Sequence, residues 1–258
     1  MSLGASIRWC IQLCSRLFSQ FWGAVLLLAA WQLWVLVATP NSLVVVPPLA
    51  VFRDIAAVPT IYMQSAFWTL AAALAGLAGG ILAGLLLAIL TWSSIMFSGL
   101  LAPAAVLISS TPVVCIIPLL VRIFGYGAPT ELATVTIMIF FPSFVFATAG
   151  LRALPPMSSE LMGTWNASPL RRLCLLALPA AMPSLATAVR VGAATSVLVA
   201  VVAEYLMQTG GLGALFAVTM QQFDMQRAFG ASIVAMMLSA VLYAIAGSIE
   251  HRIRARYG

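Results

Sequence analysis

The chain has 258 residues, of which 63% are hydrophobic and only 7% charged, with a net charge of +6. A water-soluble domain solvates its surface with charge on about a quarter of its residues, so this composition excludes a soluble globular protein and makes lipid the natural solvent. In that setting the basic excess, all of it arginine, is read through its distribution across loops and not as an affinity for nucleic acid.

Residues 1–21 carry Arg8 and Arg16 and read as a cytoplasmic N-terminal segment. The apolar run that follows, 22–39, is too long for a signal-peptide core and has no small-x-small cleavage site, so it reads as an uncleaved first span. A helical crossing needs about 20 mostly apolar residues, since roughly 30 Å of hydrocarbon is covered at 1.5 Å per residue. That ruler gives five more spans, at 66–91, 97–121, 133–151, 175–203 and 229–249. The runs are continuous, not alternating, and in lipid each backbone N–H must find its partner within its own segment. The expected fold is an all-α membrane protein with six transmembrane helices over 22–258.

Placing the N-terminus in the cytoplasm puts eight arginines on the inside, at 8, 16, 152, 171, 172, 252, 254 and 256. Three, Arg53, Arg122 and Arg227, fall outside, and Arg190 lies within the fifth span. The asymmetry orients both termini inward.

The second span has glycines at 76, 79, 80 and 84, with two G-x3-G steps. Small residues at that spacing let helix backbones approach closely, either within one bundle or across a dimer; packing within the bundle is the expectation here. The third span combines Pro103, Pro112 and Pro118 with Ser109, Ser110 and Thr111. Broken backbone ladders survive at membrane depth only against protein or a water-filled cavity, so this span suggests a path or gate for something polar.

The longest inside loop, about 153–174, contains ELMGTWNASPLRR. Ser158 and Ser159 can cap a helix that Glu160 supports through the dipole, and Ser168-Pro169 ends it. Leu161 and Trp165 are four apart and, with Met162, give a short apolar face that suits a lipid surface or a groove on a partner.

Continuing to Leu176 and Leu178-Pro179, this loop has the spacing E-A-A, three residues, G, nine residues, I, one residue, L-P. It resembles the signature loop of ABC-importer inner-membrane permeases, and the segments FGYG, VVAE and GGLG resemble the sulfonate, taurine and nitrate group of these importers. The resemblance covers about 66–252. It departs from the pattern at Leu161-Met162, where alanines are usual, and at Asn166, where glycine is usual. The resemblance implies a permease domain over 22–258 whose loop forms a coupling helix seated in a groove of a separate ATPase subunit. Glu160, Leu161, Met162, Trp165 and Asn166 would make that contact, with Arg171 and Arg172 nearby. It also implies two ATPase subunits that hold ATP and magnesium, and a second permease, identical or different. A periplasmic or lipid-anchored solute-binding protein completes the assembly, in a bacterial inner membrane.

No G-x4-G-K-[ST] phosphate loop occurs, and there is no lysine with which to build one. No cofactor, metal site or catalytic constellation is therefore expected on this chain, and Cys10, Cys14, Cys115 and Cys174 read as plain thiols. His251 reads as a solvated tail residue. Arg190 and Glu204 are the intramembrane charges, and at fourteen residues apart, about 21 Å along one helix, they cannot pair with each other. Arg190 suits either an anionic solute on the translocation path or a structural bond, and Glu204 suits a structural or gating contact. The expected function is import of a small polar solute, an anion being one class Arg190 would suit. The alternative is an ion-coupled carrier or channel, which usually shows an internal repeat or several intramembrane carboxylates.

Overall fold

The computed structural model describes residues 22, 23, 26–38, 45–94, 96, 97, 99, 103, 107, 111–154 and 168–257. The described residues are helical and contain no strand. We label the helices α1, Leu26–Ala38; α2, Pro48–Ala57; α3, Pro59–Ser93; α4, Val113–Phe124; α5, Ala128–Arg152; α6, Pro169–Met207; α7, Gly211–Gln221; and α8, Met225–Tyr257. Four of them, α3, α5, α6 and α8, are long and apolar enough to cross a membrane. The expected first and third spans correspond to the shorter helices α1 and α4, whose flanking residues lie partly outside the described set.

Glycine sets the central contact. A Cβ on Gly76 would collide with the Val135 side chain, one on Gly80 would lie 2.6 Å from Ile139 Cβ, and one on Gly84 would lie 2.7 Å from the Phe144 backbone N. The three glycines and their three targets both advance by about one helical turn. α3 and α5 therefore lie side by side and parallel, at a spacing only glycine permits. The G-x3-G face is thus used within the bundle. Ser93 and Ala128 therefore lie at opposite ends of the bundle.

α6 runs against both, with Gly192 beside Leu77 and Ile139, and Gly150 of α5 beside Ala181 and Ser184. α8 runs antiparallel to α6, since Glu250 meets Thr187 and Ser239 meets Ala194. The interior is built from small and β-branched residues, with Ala73, Val135, Ile139, Val197 and Ala200 buried together and Ala88, Ala147, Leu151, Ala177 and Ala181 in a second cluster. Large apolar side chains such as Met236, Met237, Val241 and Ile245 face outward, as expected where the surroundings are lipid or a second subunit.

This layout gives the bundle two distinct ends. One has the ends of α3, α5 and α8 and the start of α6, so the connection between Leu154 and Ser168 begins and finishes there. The other has α2, α7 and the turns around 125–127 and 208–210. At its start α6 contains a π-helical turn, Leu173–Ala177, in which Leu178 N–H reaches five residues back to the Leu173 carbonyl. The following residue, Pro179, has no N–H to offer.

Candidate functional site

At the end that carries α7, Glu204 organises a buried knot. It is 1% exposed. Its Oε2 accepts from Thr69 Oγ1 of α3 and from the Gly213 N–H of α7, both at 2.9 Å. Thr69 Oγ1 in turn accepts from the Leu212 N–H at 2.9 Å. The carboxylate thus satisfies the first turn of α7, where orphan N–H groups and the helix dipole favour an anion. Local sequence explains the fit: Gly211 has φ +75°, and a Cβ there would overlap the Glu204 carboxyl, while one on Gly213 would overlap the Val201 carbonyl and lie 2.8 Å from Tyr205 N. The GGLG segment is glycine-rich because Glu204 and the end of α6 occupy the space a side chain would need.

Glu131, in the first turn of α5, shares a cavity with Glu204. Both line a cavity of about 360 Å³ with Trp68, Thr209 and Gly210. The Oε1 atoms of Glu131 and Glu204 are buried and have no hydrogen-bond partner. The expected fourth span begins at 133, and this boundary hid Glu131. The observed helix begins five residues earlier, with Pro129 in its first turn.

Arg190 belongs to a second cluster, toward the other end. Its Nη1 lies 3.0 Å from Glu250 Oε2, and its guanidinium sits 4.4 Å from the Tyr243 ring centroid. Glu250 Oε1 also meets Arg254 Nη2 at 2.9 Å and accepts from Thr187 Oγ1 at 2.9 Å. The Arg190 side chain remains 39% exposed, and that of Glu250 6%. A third cluster joins α2 to α8: Arg227 bridges Asp54 at 3.3 Å and Asp224 at 3.4 Å, and the Tyr62 hydroxyl donates to Asp54.

The remaining expected site residues divide cleanly. Glu160, Leu161, Met162, Trp165, Asn166, Ser109 and Ser110 lie outside the described residues, as do Cys10 and Cys14. Thr111 is exposed just before α4. Arg171 and Arg172 open α6, where the Ser168 hydroxyl caps Arg171 N at 3.4 Å. α4, which contains Pro118, borders a cavity of about 690 Å³ whose lining includes Ile117, Arg122, Tyr126 and Met207. His251 is exposed, Cys115 and Cys174 are free thiols, and no metal-binding group of three ligands occurs among the described residues.

Comparison with known proteins gives a consistent result. The family described as "Binding-protein-dependent transport system inner membrane component" matches residues 80–255. A probable ABC transporter permease protein of Haemophilus influenzae is 32% identical over 224 residues, 86% of this chain and 91% of that one. The formylaminopyrimidine transport permease protein ThiX of Halalkalibacterium halodurans is 26% identical, over 88% of this chain and 91% of its own. The taurine transport system permease protein TauC of Escherichia coli is 27% identical, over 72% and 70%. Among solved structures, an inward-facing MetNI methionine ABC transporter chain has a TM-score of 0.60 at 20% identity, over 76% of this chain and 95% of that one, a likeness of fold.

Proposed function

Since this chain belongs to the binding-protein-dependent transport system inner membrane components, the non-hydrolytic permease subunits of ABC importers, we propose how its parts serve import. The chain sits in the inner membrane with six crossings, α1 and α4 forming the cores of the first and third. The arginine-rich end, with Arg152, Arg171, Arg172, Arg252, Arg254 and Arg256, faces the cytoplasm, as the retention of basic residues on that side favours. The connection between Leu154 and Ser168 then starts and finishes on the cytoplasmic face. That position is the observation that carries the coupling reading.

Glu160, Leu161, Met162, Trp165 and Asn166 form the coupling helix, seated in a groove of an ATPase subunit, with Arg171 and Arg172 beside it. Two such subunits, holding ATP and magnesium, close on a pair of permeases, which are either two copies of this chain or this chain with a different permease. Their motion enters α6 through residues 169–177 and switches the bundle between outward and inward access. A binding protein delivers a small polar solute, the class to which formylaminopyrimidine and taurine, named for two relatives, belong. The cavity along α4 and the residues Ser109, Ser110 and Thr111 lie on the route. An anionic solute would compete with Glu250 for the Arg190 guanidinium, and Glu204 acts as a gate contact at the outer end.

Purification with the partner ATPase tests this. Leu161→Glu with Trp165→Glu should leave the bundle folded and reduce solute-stimulated ATP hydrolysis more than tenfold, because a charge cannot be seated in an apolar groove without a partner. Undiminished transport by this chain in liposomes that contain no ATPase would overturn the reading.

A further inference from the structure

Two cavities lie end to end along one face of α8, where Ser232, Met236, Ala240, Tyr243, Gly247 and His251 recur every three or four residues. The first, about 660 Å³, runs between α6 and α8, past Ala194, Leu198 and Val201. The second, about 540 Å³, is bounded by Arg190, Gly247, His251 and Arg252. Tyr243 lines both, so together they make one groove, apolar along its length and basic at its end.

The apolar part offers nothing to a hydrated solute. Three hydroxyls border it, and each is spent on a backbone carbonyl: Thr195 donates to Val191 O at 3.0 Å, Ser232 to Ala228 O at 3.3 Å and Ser239 to Ala194 O at 3.3 Å. A polar occupant would lose its hydration there without replacement, whereas hydrocarbon loses nothing. Length agrees. Arg190 and Val201 are eleven residues apart on α6, about 17 Å, and one leaflet's share of the hydrocarbon core is about 15 Å.

The basic end lacks an anion. Arg190 Nη1 and Arg254 Nη2 share Glu250, at 3.0 and 2.9 Å. Arg252 is exposed and in no ion pair among the described residues. Three arginines therefore meet one glutamate, an excess of two positive charges. A Cβ on Gly247 would lie 3.2 Å from Arg190 Nε, so the missing side chain is what lets the guanidinium rest against α8 at the mouth of the pocket.

We propose that this groove binds an acidic phospholipid, with its phosphate between Arg252 and Arg190 and one acyl chain along α6 and α8 toward Val201. Basic pockets between membrane helices recognise acidic headgroups in this way. Only the assignment to the cytoplasmic leaflet rests on the orientation proposed above. A small soluble anion would fill the basic end and leave the apolar length without an occupant. A second copy in the same orientation would bring the same excess of arginine to this end, where the only described acid, Glu250, is already paired.

Native mass spectrometry of the full-length chain, offered equal phosphatidylglycerol and phosphatidylethanolamine with identical acyl chains, counts retained lipid. The count is independent of the solute carried and of any ATPase, so failure of the coupling reading would leave it unchanged. Phosphatidylglycerol should be retained in preference. Arg252→Gln should lower its retention about fivefold, the worth of one arginine near an acidic headgroup. Arg256→Gln removes the same charge outside the pocket and should lower it less. Ala240→Phe, at an exposed position of α8, should also lower it by filling the apolar part. Equal losses in Arg252→Gln and Arg256→Gln, or no preference between the two lipids, overturn the proposal. Displacement of the lipid by inorganic phosphate at constant ionic strength overturns it in favour of a soluble anion. Retention by the isolated chain that disappears in the complete transporter overturns it in favour of a partner subunit in the groove.

Discussion

The Glu204 knot and the Arg190–Glu250–Arg254 cluster both join α6 to its neighbours through a carboxylate, yet they are built on opposite principles. At Glu250 the anion is met by two arginines and a hydroxyl. At Glu204 the donors are one hydroxyl and a backbone N–H, and the neighbouring ionisable group is another acid. A carboxylate without a cation, 1% exposed, depends on every donor aimed at it, so the chemically weaker partners are the less replaceable ones.

The sharpest way to break this contrast is Glu204→Ala. It strands the Gly213 N–H and the Thr69 hydroxyl in an apolar setting and removes the cap of α7, for a loss of about 2–4 kcal/mol. A correspondingly lowered unfolding midpoint in detergent is the expected result. Gly213→Ala tests the same knot by overfilling it: the new methyl would overlap the Val201 carbonyl, and about 1–3 kcal/mol should be lost. Arg190→Gln should have the smallest effect, because Glu250 keeps Arg254 and Thr187. Its midpoint should fall by less than a third of the Glu204→Ala change. A larger loss at Arg190 than at Glu204 would reverse the comparison.

Much of this arrangement was readable in the sequence. Continuous apolar runs dictate helices, and the glycines at 76, 80 and 84 imply close packing, which the Val135, Ile139 and Phe144 contacts realise. The fourteen-residue separation correctly denied Arg190 and Glu204 to each other. The Glu250 partner of Arg190 and the Glu131 neighbour of Glu204 were hidden for a physical reason: hydropathy marks where a helix is oily, not where it ends. Glu131 falls two residues before the apolar run begins and Glu250 one residue after another run stops, so both lie outside the expected spans. A count of acids against arginines would have drawn attention to them, because in so apolar a chain each acid needs an assigned partner. Short helices such as α2 and α7 were missed because neither is long enough to leave a hydropathy signal.

The wide turn at Leu173–Ala177 has a further consequence for how this chain can vary. A π turn holds one more residue than the α-helical turn it replaces, so it stores a phase offset of about 100° between what precedes and follows it. Removing a single residue there would restore a regular helix and swing Pro169–Arg172 about a quarter turn around its axis. Length at this joint is therefore a setting of angle, and the five residues should tolerate exchange of side chain far better than any change in their number.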